Sequence, residues 1–545
     1  NMKFELNHDW QGNMSSPRST LGDKTKIHLF LMLAIVWVFT GLVGNSPWIP
    51  AESENVSMVM DIVSSNSIIA PLAASQDSIN NPPLYPFIGA TFVKIFSSIL
   101  APHDAIRLSN FIWISLTLVS IGLMTRELWG TGFGRQAGLI FIASIGLIFN
   151  VHTIRPEVSA LLGFALALYG FSLYYRRPFR ASLVLGFGIS IIFLSNGILS
   201  LLSIFITSLT LLFIKQWRNK RYYLFCLISS IVALSIISPW VYLLYNSNPE
   251  IFFSWINKVN APNGEEFFFY IKNLLWFTWP ALPLFIFVLI KNYRNIFQLK
   301  KIHLPLFFSI SILFTLSLNA KIDQINLMPI LLPFSVAAAG GIDLLRRSSA
   351  SALNWFGILI FGFFGFVIWF FWFAAITGFP EIIYDRIFFL SGSYEVKFEF
   401  LSFIFAFLIS ILWLYIIFNL KISNRSAISN WAIGITMVWV TFIMLVSPLI
   451  DNRKSYAPVF QDVKQQLSQS SSCLYTYNFS PNETNLLHYY SGIKAFDSNK
   501  DIQCRMILLS LNNESKMPSE YESWNQIWSG KRIDRDKTYY ILLSK

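Results

Sequence analysis

Long apolar runs alternate with short polar stretches over the first 450 residues of the chain. A helix needs about 20 apolar residues to cross the hydrocarbon layer of a membrane. Runs of roughly this kind recur often enough to predict about 13 membrane-spanning helices. They lie near 27–44, 106–125, 137–150, 158–175, 181–197, 199–214, 223–245, 270–290, 304–319, 326–343, 352–376, 399–420 and 429–449. The pattern therefore predicts a polytopic α-helical membrane protein.

The composition supports this fold class. Hydrophobic residues make up 54% of the 545 positions and charged residues 13%, whereas a soluble globular chain is about 25% charged. These figures exclude a soluble enzyme, a disordered protein and a disulfide-framed secreted module. The net charge of +12 comes from basic residues that separate the apolar runs instead of clustering, so we predict no nucleic-acid partner.

The basic residues also orient the helices. The run Leu84–Ala101 is ambiguous, because it follows Pro82-Pro83 and contains Lys94. If it lies along the outer interface and the N-terminus is cytoplasmic, most loop Lys and Arg residues fall on the inner side, as in most membrane proteins. Making 84–101 a span would reverse that bias. We therefore predict an interfacial helix there.

Polar residues return after residue 450, where short strand-like runs alternate with helical stretches. The runs are Cys473–Tyr477, Met506–Leu511 and Tyr539–Leu543, and the helical stretches are Ala457–Leu467 and Glu483–Tyr490. This alternation predicts a small soluble α/β domain. The predicted organisation is a cytoplasmic tail at 1–26, a transmembrane domain at 27–450 with an outer interfacial loop at 45–105, and an outer, periplasmic α/β domain at 451–545.

Cys473 and Cys504 both lie in the predicted outer domain, each at the start of a strand-like run. Thiols in an oxidising outer compartment tend to pair. Neighbouring strands bring side chains to about 4.5–5.5 Å between Cβ atoms, which is close to the separation that a disulfide requires. The sequence favours a disulfide between them, and two unrelated buried thiols are the alternative.

The candidate chemistry lies in the outer loops, where acidic residues gather beyond the mouths of helices. Glu52 and Glu54 lie in the first outer loop, and Glu157 lies in the second. We expect Glu52 and Glu157 to face one outer cavity. Paired carboxylates at such a place can act as a general base, as metal ligands, or as both. The alternative is that these acids are only solvated loop residues.

Four stretches resemble motifs of the GT-C glycosyltransferases, and specifically of the group that contains the bacterial aminoarabinose transferases (ArnT) and the protein O-mannosyltransferases. They are Pro50-Ala-Glu52-Ser-Glu54, Asn81-Pro-Pro-Leu-Tyr85, Phe193-Leu-Ser-Asn196-Gly197 and the run from Lys321 to Pro333. The resemblance covers essentially the whole chain. It implies a GT-C-like fold of about 13 transmembrane helices with an outer soluble domain.

The resemblance also implies a function. A hexosyl or pentosyl group would move, with inversion, from a polyprenyl phosphate to a lipid, protein or glycan acceptor at the outer face of the bacterial inner membrane. Such a site must deprotonate the acceptor and neutralise the departing phosphate. Glu52, Glu54 and Glu157 are the candidates for the first task, and Glu52 and Glu157 could act through a divalent metal ion. The candidates for binding the donor phosphate are Lys321, Arg155 and His152.

Trp48, Asn81 and Tyr85 are candidate substrate-lining residues, although aromatic residues at an outer interface are also ordinary membrane anchors. The chain departs from the family motifs at four positions. Ala51 replaces an aspartate, Asn81 and Asn196 replace lysines, and Glu157 replaces a second aspartate. The first three changes remove the usual base and two cations that would bind phosphate. A catalytically silent family member and a transporter of lipid-linked glycans are therefore the alternatives to an enzyme.

Overall fold

A computed structural model describes residues 23–65, 67–257, 265–318, 322–419, 423–467, 473–497, 504–512, 517–533 and 536–545. The helices, in chain order, are α1 (Asp23–Phe39), α2 (Ser53–Ser65), α3 (Leu84–Phe96), α4 (Pro102–Trp129), α5 (Phe133–Ile142), α6 (Leu147–Asn150), α7 (Pro156–Leu173), α8 (Pro178–Asn196), α9 (Ile198–Leu211), α10 (Lys220–Ser247), α11 (Pro249–Asn257), α12 (Glu265–Phe277), α13 (Ala281–Lys291), α14 (Lys300–Leu316), α15 (Leu331–Ala339), α16 (Arg347–Thr377), α17 (Glu381–Leu390), α18 (Phe400–Asn419), α19 (Asn424–Leu445), α20 (Ser447–Lys454), α21 (Ala457–Leu467) and α22 (Pro481–Ser491). The described residues up to 467 are therefore mostly helical.

Seven helices in the described part of the chain are long and apolar enough to cross a membrane: α4, α7, α8, α10, α16, α18 and α19. The pair α12 and α13, bent by 95°, would make an eighth span. The predicted count of about 13 stays a prediction. Other apolar helices, such as α1 and α14, have 17 residues and are about 25 Å long, which is short of the hydrocarbon thickness.

The helix α3 has 13 residues and is therefore only about 20 Å long. This length is consistent with an interfacial position for the run that begins at Leu84. The helix lies between α2 and α4, and Gly89 makes that packing close. A Cβ atom added there would lie 3.1 Å from Ile106 and 3.3 Å from Val59.

The helices α7 and α8 form the closest pair of the helical body, because small residues let their backbones touch. A Cβ atom at Gly163 would lie 2.9 Å from the Gly188 carbonyl oxygen, and one at Gly188 would lie 2.8 Å from the Ala167 nitrogen. Where α7 begins and α8 ends, Ser159 Oγ donates to Ser195 Oγ at 2.8 Å. The start of α7 is thereby fixed beside the end of α8.

The chain ends in a five-stranded sheet formed by β1 (Tyr475–Tyr477), β2 (Phe496–Asp497), β3 (Met506–Asn512), β4 (Asn525–Gly530) and β5 (Thr538–Ser544). The strand order is β2-β1-β3-β5-β4. The first three strands of that order are parallel, and β5 is antiparallel to both β3 and β4. Side chains alternate between the faces, so Leu508 and Leu542 join the core that contains α21 and α22, whereas Ile507 and Leu543 pack on the opposite face.

Cys473 and Cys504 precede the neighbouring parallel strands β1 and β3. Since parallel neighbours start at the same edge of a sheet, the two residues meet there. A disulfide joins them, with Cα atoms 5.4 Å apart, inside the usual range for such bonds.

Candidate functional site

Glu52 lies in the turn before α2 and is buried. Its Oε1 accepts hydrogen bonds from Arg107 Nε at 3.0 Å and the Ile154 amide at 2.9 Å. Its Oε2 accepts from Arg107 Nη2 at 2.6 Å and the Trp48 amide at 3.0 Å. Four donors occupy the acceptor sites of one carboxylate. Glu52 therefore joins the first outer loop, α4 and the second outer loop, and this geometry does not favour it as a base.

Trp48 is held on the other side of the same turn. Its indole Nε1 donates to Asp451 Oδ1 at 2.8 Å, and the Lys454 ammonium lies 4.4 Å from the ring centroid. Ser46 also donates to Asp451, from its amide at 2.8 Å and its hydroxyl at 3.0 Å. Trp48 thus connects the first outer loop to α20, the segment that leads into the sheet domain.

Arg155 immediately precedes α7, whose first residue is Pro156. Its Nη1 lies 2.6 Å from Asp323 Oδ2, and its Nε donates to the Ala51 carbonyl oxygen at 3.2 Å. Burial opposes the Arg155 charge, but the nearby Glu157 and Asp323 carboxylates outweigh it and raise the Arg155 pKa above its ordinary value. Arg155 therefore stays cationic beside Ala51, where the family motif has an aspartate.

Glu54 lies in the first turn of α2 and is half-buried. Its Oε1 accepts a hydrogen bond from Asn80 Nδ2 at 2.8 Å. Pro82, two residues after Asn80, lies close to Gly197, the residue that follows α8 and has a φ of +80°. A Cβ atom added at Gly197 would lie 3.8 Å from Pro82 Cδ. The loop that carries Asn80 and Asn81 therefore lies beside Asn196, the last residue of α8.

Two groups of polar residues lie near the starts of α2 and α7: Glu54 with Asn80, and Arg155 with Glu157 and Asp323. With Asn81, which follows Asn80, and Asn196, at the end of α8, they form the set that we call the outer cluster. Lys321, which the sequence proposes for phosphate binding, lies outside the described residues. The cluster combines carboxylates with a guanidinium group at one end of the helical body.

Two candidate residues lie elsewhere. His152 is buried, with its ring nitrogens 2.7 Å from the Ile148 carbonyl oxygen and 3.0 Å from that of Trp37. Its ring centroid is 4.8 Å from that of Trp439. His152 therefore contacts α1 and α19, and these contacts do not favour a role in binding a donor phosphate.

Tyr85 is fully buried within the protein. Its hydroxyl donates to Asn110 Oδ1 at 2.9 Å, and Asn110 Nδ2 donates to the carbonyl oxygens of Val151 and Thr153 at 3.1 and 2.9 Å. Tyr85 therefore stabilises the second outer loop through Asn110. Its burial does not favour direct contact with a sugar.

The residues present do not fit a metal ion at Glu52, because its carboxylate already accepts four hydrogen bonds. Over the described ranges there is no group of three or more His, Cys, Asp or Glu residues arranged to hold a metal. We therefore derive no step through a metal.

No family model and no curated protein matches the sequence. Solved structures do match. ArnT from Cupriavidus metallidurans bound to undecaprenyl phosphate is similar with a TM-score of 0.71 and 15% identity, over 96% of this chain and 98% of that one. Apo ArnT from the same organism gives 0.70 and 15%, over 95% and 97%.

An oligosaccharyltransferase from Archaeoglobus fulgidus in its apo form is similar with a TM-score of 0.51 and 11% identity, over 87% of this chain and 64% of that one. Likeness at such identities establishes the fold. The resemblance to ArnT that the motifs predict is thus confirmed at the level of architecture: the chain is a multi-pass membrane protein with the ArnT-like GT-C fold and a small C-terminal sheet domain.

Proposed function

We propose that this chain is a membrane glycosyltransferase that moves a sugar from a polyprenyl phosphate to a lipid, protein or glycan acceptor. The observation that carries the proposal is the end-to-end similarity to an ArnT that binds undecaprenyl phosphate. The outer cluster supports it, because it supplies carboxylates and a cation at the same end of the helical body. The proposed setting is the bacterial inner membrane, with the N-terminus cytoplasmic and the sheet domain periplasmic.

In the proposed reaction an acceptor oxygen attacks the anomeric carbon opposite to the phosphate and inverts its configuration. The acceptor proton passes to a carboxylate, and the phosphate leaves with the electron pair of the broken carbon–oxygen bond. Arg155 and Lys321 neutralise the developing phosphate charge, since a cation has its largest effect where water is scarce.

Glu54 is the proposed base. Glu52 is occupied by four donors, and Ala51 has no carboxylate. Glu54 lies three residues after Ala51, about one helical turn further on, and it contacts the neutral amide of Asn80. Glu157, beside Arg155, is the proposed partner that binds hydroxyl groups of the sugar.

The test uses purified protein reconstituted in proteoliposomes with a panel of undecaprenyl-phosphate-linked hexoses and pentoses. Release of undecaprenyl phosphate is followed by mass spectrometry. We expect one donor to be consumed and Glu54→Gln to lower kcat by about 100-fold or more, the usual contribution of a general base. Glu520→Gln, at an exposed carboxylate of the sheet domain, is the matched control and keeps full turnover.

Full turnover by Glu54→Gln would contradict the role of Glu54 and would transfer it to Glu157. The second candidate function is a silent family member, which Ala51, Asn81 and Asn196 favour because they replace groups that the reaction uses. That alternative predicts saturable binding of undecaprenyl phosphate without consumption of any donor.

A further inference from the structure

One side of α22, in the sheet domain, carries a row of polar residues that bond to the first outer loop. Asn482 Oδ1 accepts from Ser53 Oγ at 2.7 Å, and His488 Nδ1 lies 2.9 Å from Ser57 Oγ. Between them, Asn485 Oδ1 accepts from the Ser75 amide at 3.0 Å. We call Asn482, Asn485 and His488 the α22 ladder. Its two outer members both bond to α2.

The Ser57–His488 bond of the ladder is buried, and the Ser53–Asn482 and Ser75–Asn485 bonds are partly buried. Ser53 and Ser57 are fully buried, and Asn485 and His488 are 2% and 6% exposed. Ser57 Oγ also accepts from the Ala74 amide at 3.0 Å, so Ser57 joins His488 to the segment that carries Ala74. Water cannot replace the buried bond between Ser57 and His488, and a partner left alone there bears the full cost of desolvation.

The ladder controls both partners of the Glu54–Asn80 contact. Glu54 lies on α2 next to Ser53 and within one turn of Ser57, the two residues that α22 holds. Asn80 follows the segment that Ala74 and Ser75 attach to Ser57 and Asn485. A shift of α22 would therefore move the carboxylate and its amide partner relative to Arg155, which is attached to α7.

We propose that Asn482 and His488 are positioning residues, and that the sheet domain uses them to set the Glu54 carboxylate in the outer cluster. The inference rests on the proposed function. The apolar residues Val56, Val59 and Ile62 of α2 are buried in the main core, so α2 stays folded when a ladder bond is lost. The loss then changes the position of Glu54, and turnover falls while donor binding is retained.

Paired variants test this. Asn482→Ala removes the acceptor of the Ser53 hydroxyl, whereas Asn482→Asp keeps an oxygen there. His488→Leu removes the hydrogen-bond partner of the Ser57 hydroxyl, whereas His488→Asn places an amide group near the Nδ1 position. Thr484→Ala is the control on the same helix, because the Thr484 hydroxyl bonds to the Ser480 carbonyl oxygen of its own helix.

We expect Asn482→Ala and His488→Leu each to lower kcat by about 10- to 100-fold, the cost of a misplacement of up to 1 Å, with KM for the donor nearly unchanged. The conservative variants should recover most of the loss. Hydrogen exchange provides a readout that needs no activity: amides 54–60 and 72–76 should exchange faster in both disruptive variants and equally in Thr484→Ala and wild type.

The outcomes separate the two proposals. If the disruptive variants exchange faster but keep the wild-type kcat, the ladder is merely structural and the inference is overturned. If their hydrogen exchange is unchanged, the inference is overturned as well. A wild-type protein that consumes no donor contradicts the proposed function and, with it, the catalytic part of this inference. The coupling of α22 to α2 is then decided by exchange alone.

Discussion

Glu52 and Glu54 are two residues apart in the chain but have opposite environments. Glu52 is buried, its two oxygens accept four hydrogen bonds, and two of these come from one guanidinium group. Glu54 is half-buried and meets the neutral amide of Asn80. A carboxylate that is paired and fully bonded holds structure together, whereas one with remaining acceptor capacity can receive a proton. In the proposed mechanism, the carboxylate that holds the loops together and the carboxylate that takes the proton are thus different residues.

The largest expected effect concerns the Glu52 side of this comparison. Arg107→Ala leaves a buried carboxylate without its counter-charge, and such a change costs about 3–5 kcal/mol of stability. We expect a strong drop in the thermal unfolding temperature in detergent and in the yield from the membrane. Glu54→Ala removes one hydrogen bond at a half-buried position and should cost only about 1 kcal/mol. Equal destabilisation by the two variants would remove the distinction between the two sites.

A second experiment sharpens the comparison from the Glu54 side. Ala51→Asp introduces a carboxylate where the chain already approaches Arg155, since the Ala51 carbonyl oxygen accepts from Arg155 Nε at 3.2 Å. Combined with Glu54→Gln, it should restore turnover by about 10-fold, part of what one general base contributes. The readout is release of undecaprenyl phosphate, and Ala51→Asn is the isosteric control. Equal rates for the Asp and Asn variants would contradict a role for a carboxylate at this position.

The smallest effect is a pH dependence that arises at the α22 ladder. Burial lowers the pKa of His488, with Asp61 opposing and Lys494 adding to that shift. The folded protein then binds fewer protons than the unfolded chain as the pH falls below the ordinary histidine value of about 6.5. Stability is therefore full above that pH and declines below it, toward the lower folded pKa. Thermal unfolding of His488→Asn across this range should show a flatter profile than wild type, and identical profiles would contradict the assignment.

Much of the architecture follows from the sequence because hydrophobic patterns are local. The predicted helix Ala457–Leu467 is α21, and the predicted strands overlap β1, β3 and β5. The hydrophobic pattern does not predict the strand β4. This strand lies mostly exposed at the edge of the sheet, and its sequence, Asn525-Gln-Ile-Trp-Ser-Gly530, lacks apolar alternation. Edge strands need no apolar face on both sides, so their pattern is weak.

The site was harder to predict, because its contacts join distant parts of the chain. The sequence groups Glu52 with Glu54 and Glu157, but the partner of Glu52 is Arg107, 55 positions away. Asn80, which contacts Glu54, gave no signal except its place before the Asn81-Pro82-Pro83 turn. His152 and Tyr85 are candidates by residue type and by position in the sequence alone, and neither property tells which way a side chain points. Arg155 is a candidate because a departing phosphate needs a cation where water is scarce, and its role in binding phosphate stays a prediction.

The hydrogen bond from Ser53 to Asn482 spans 429 positions, and this separation affects how the protein is made. At a synthesis rate of 5–20 residues per second, about 20 to 90 s pass between the emergence of the two residues from the ribosome. Over that interval α2 has no partner in α22. A chain that stops before α22 would contain every residue of the outer cluster and still lack the contacts to α22, so the proposed activity would begin only once the sheet domain has been made.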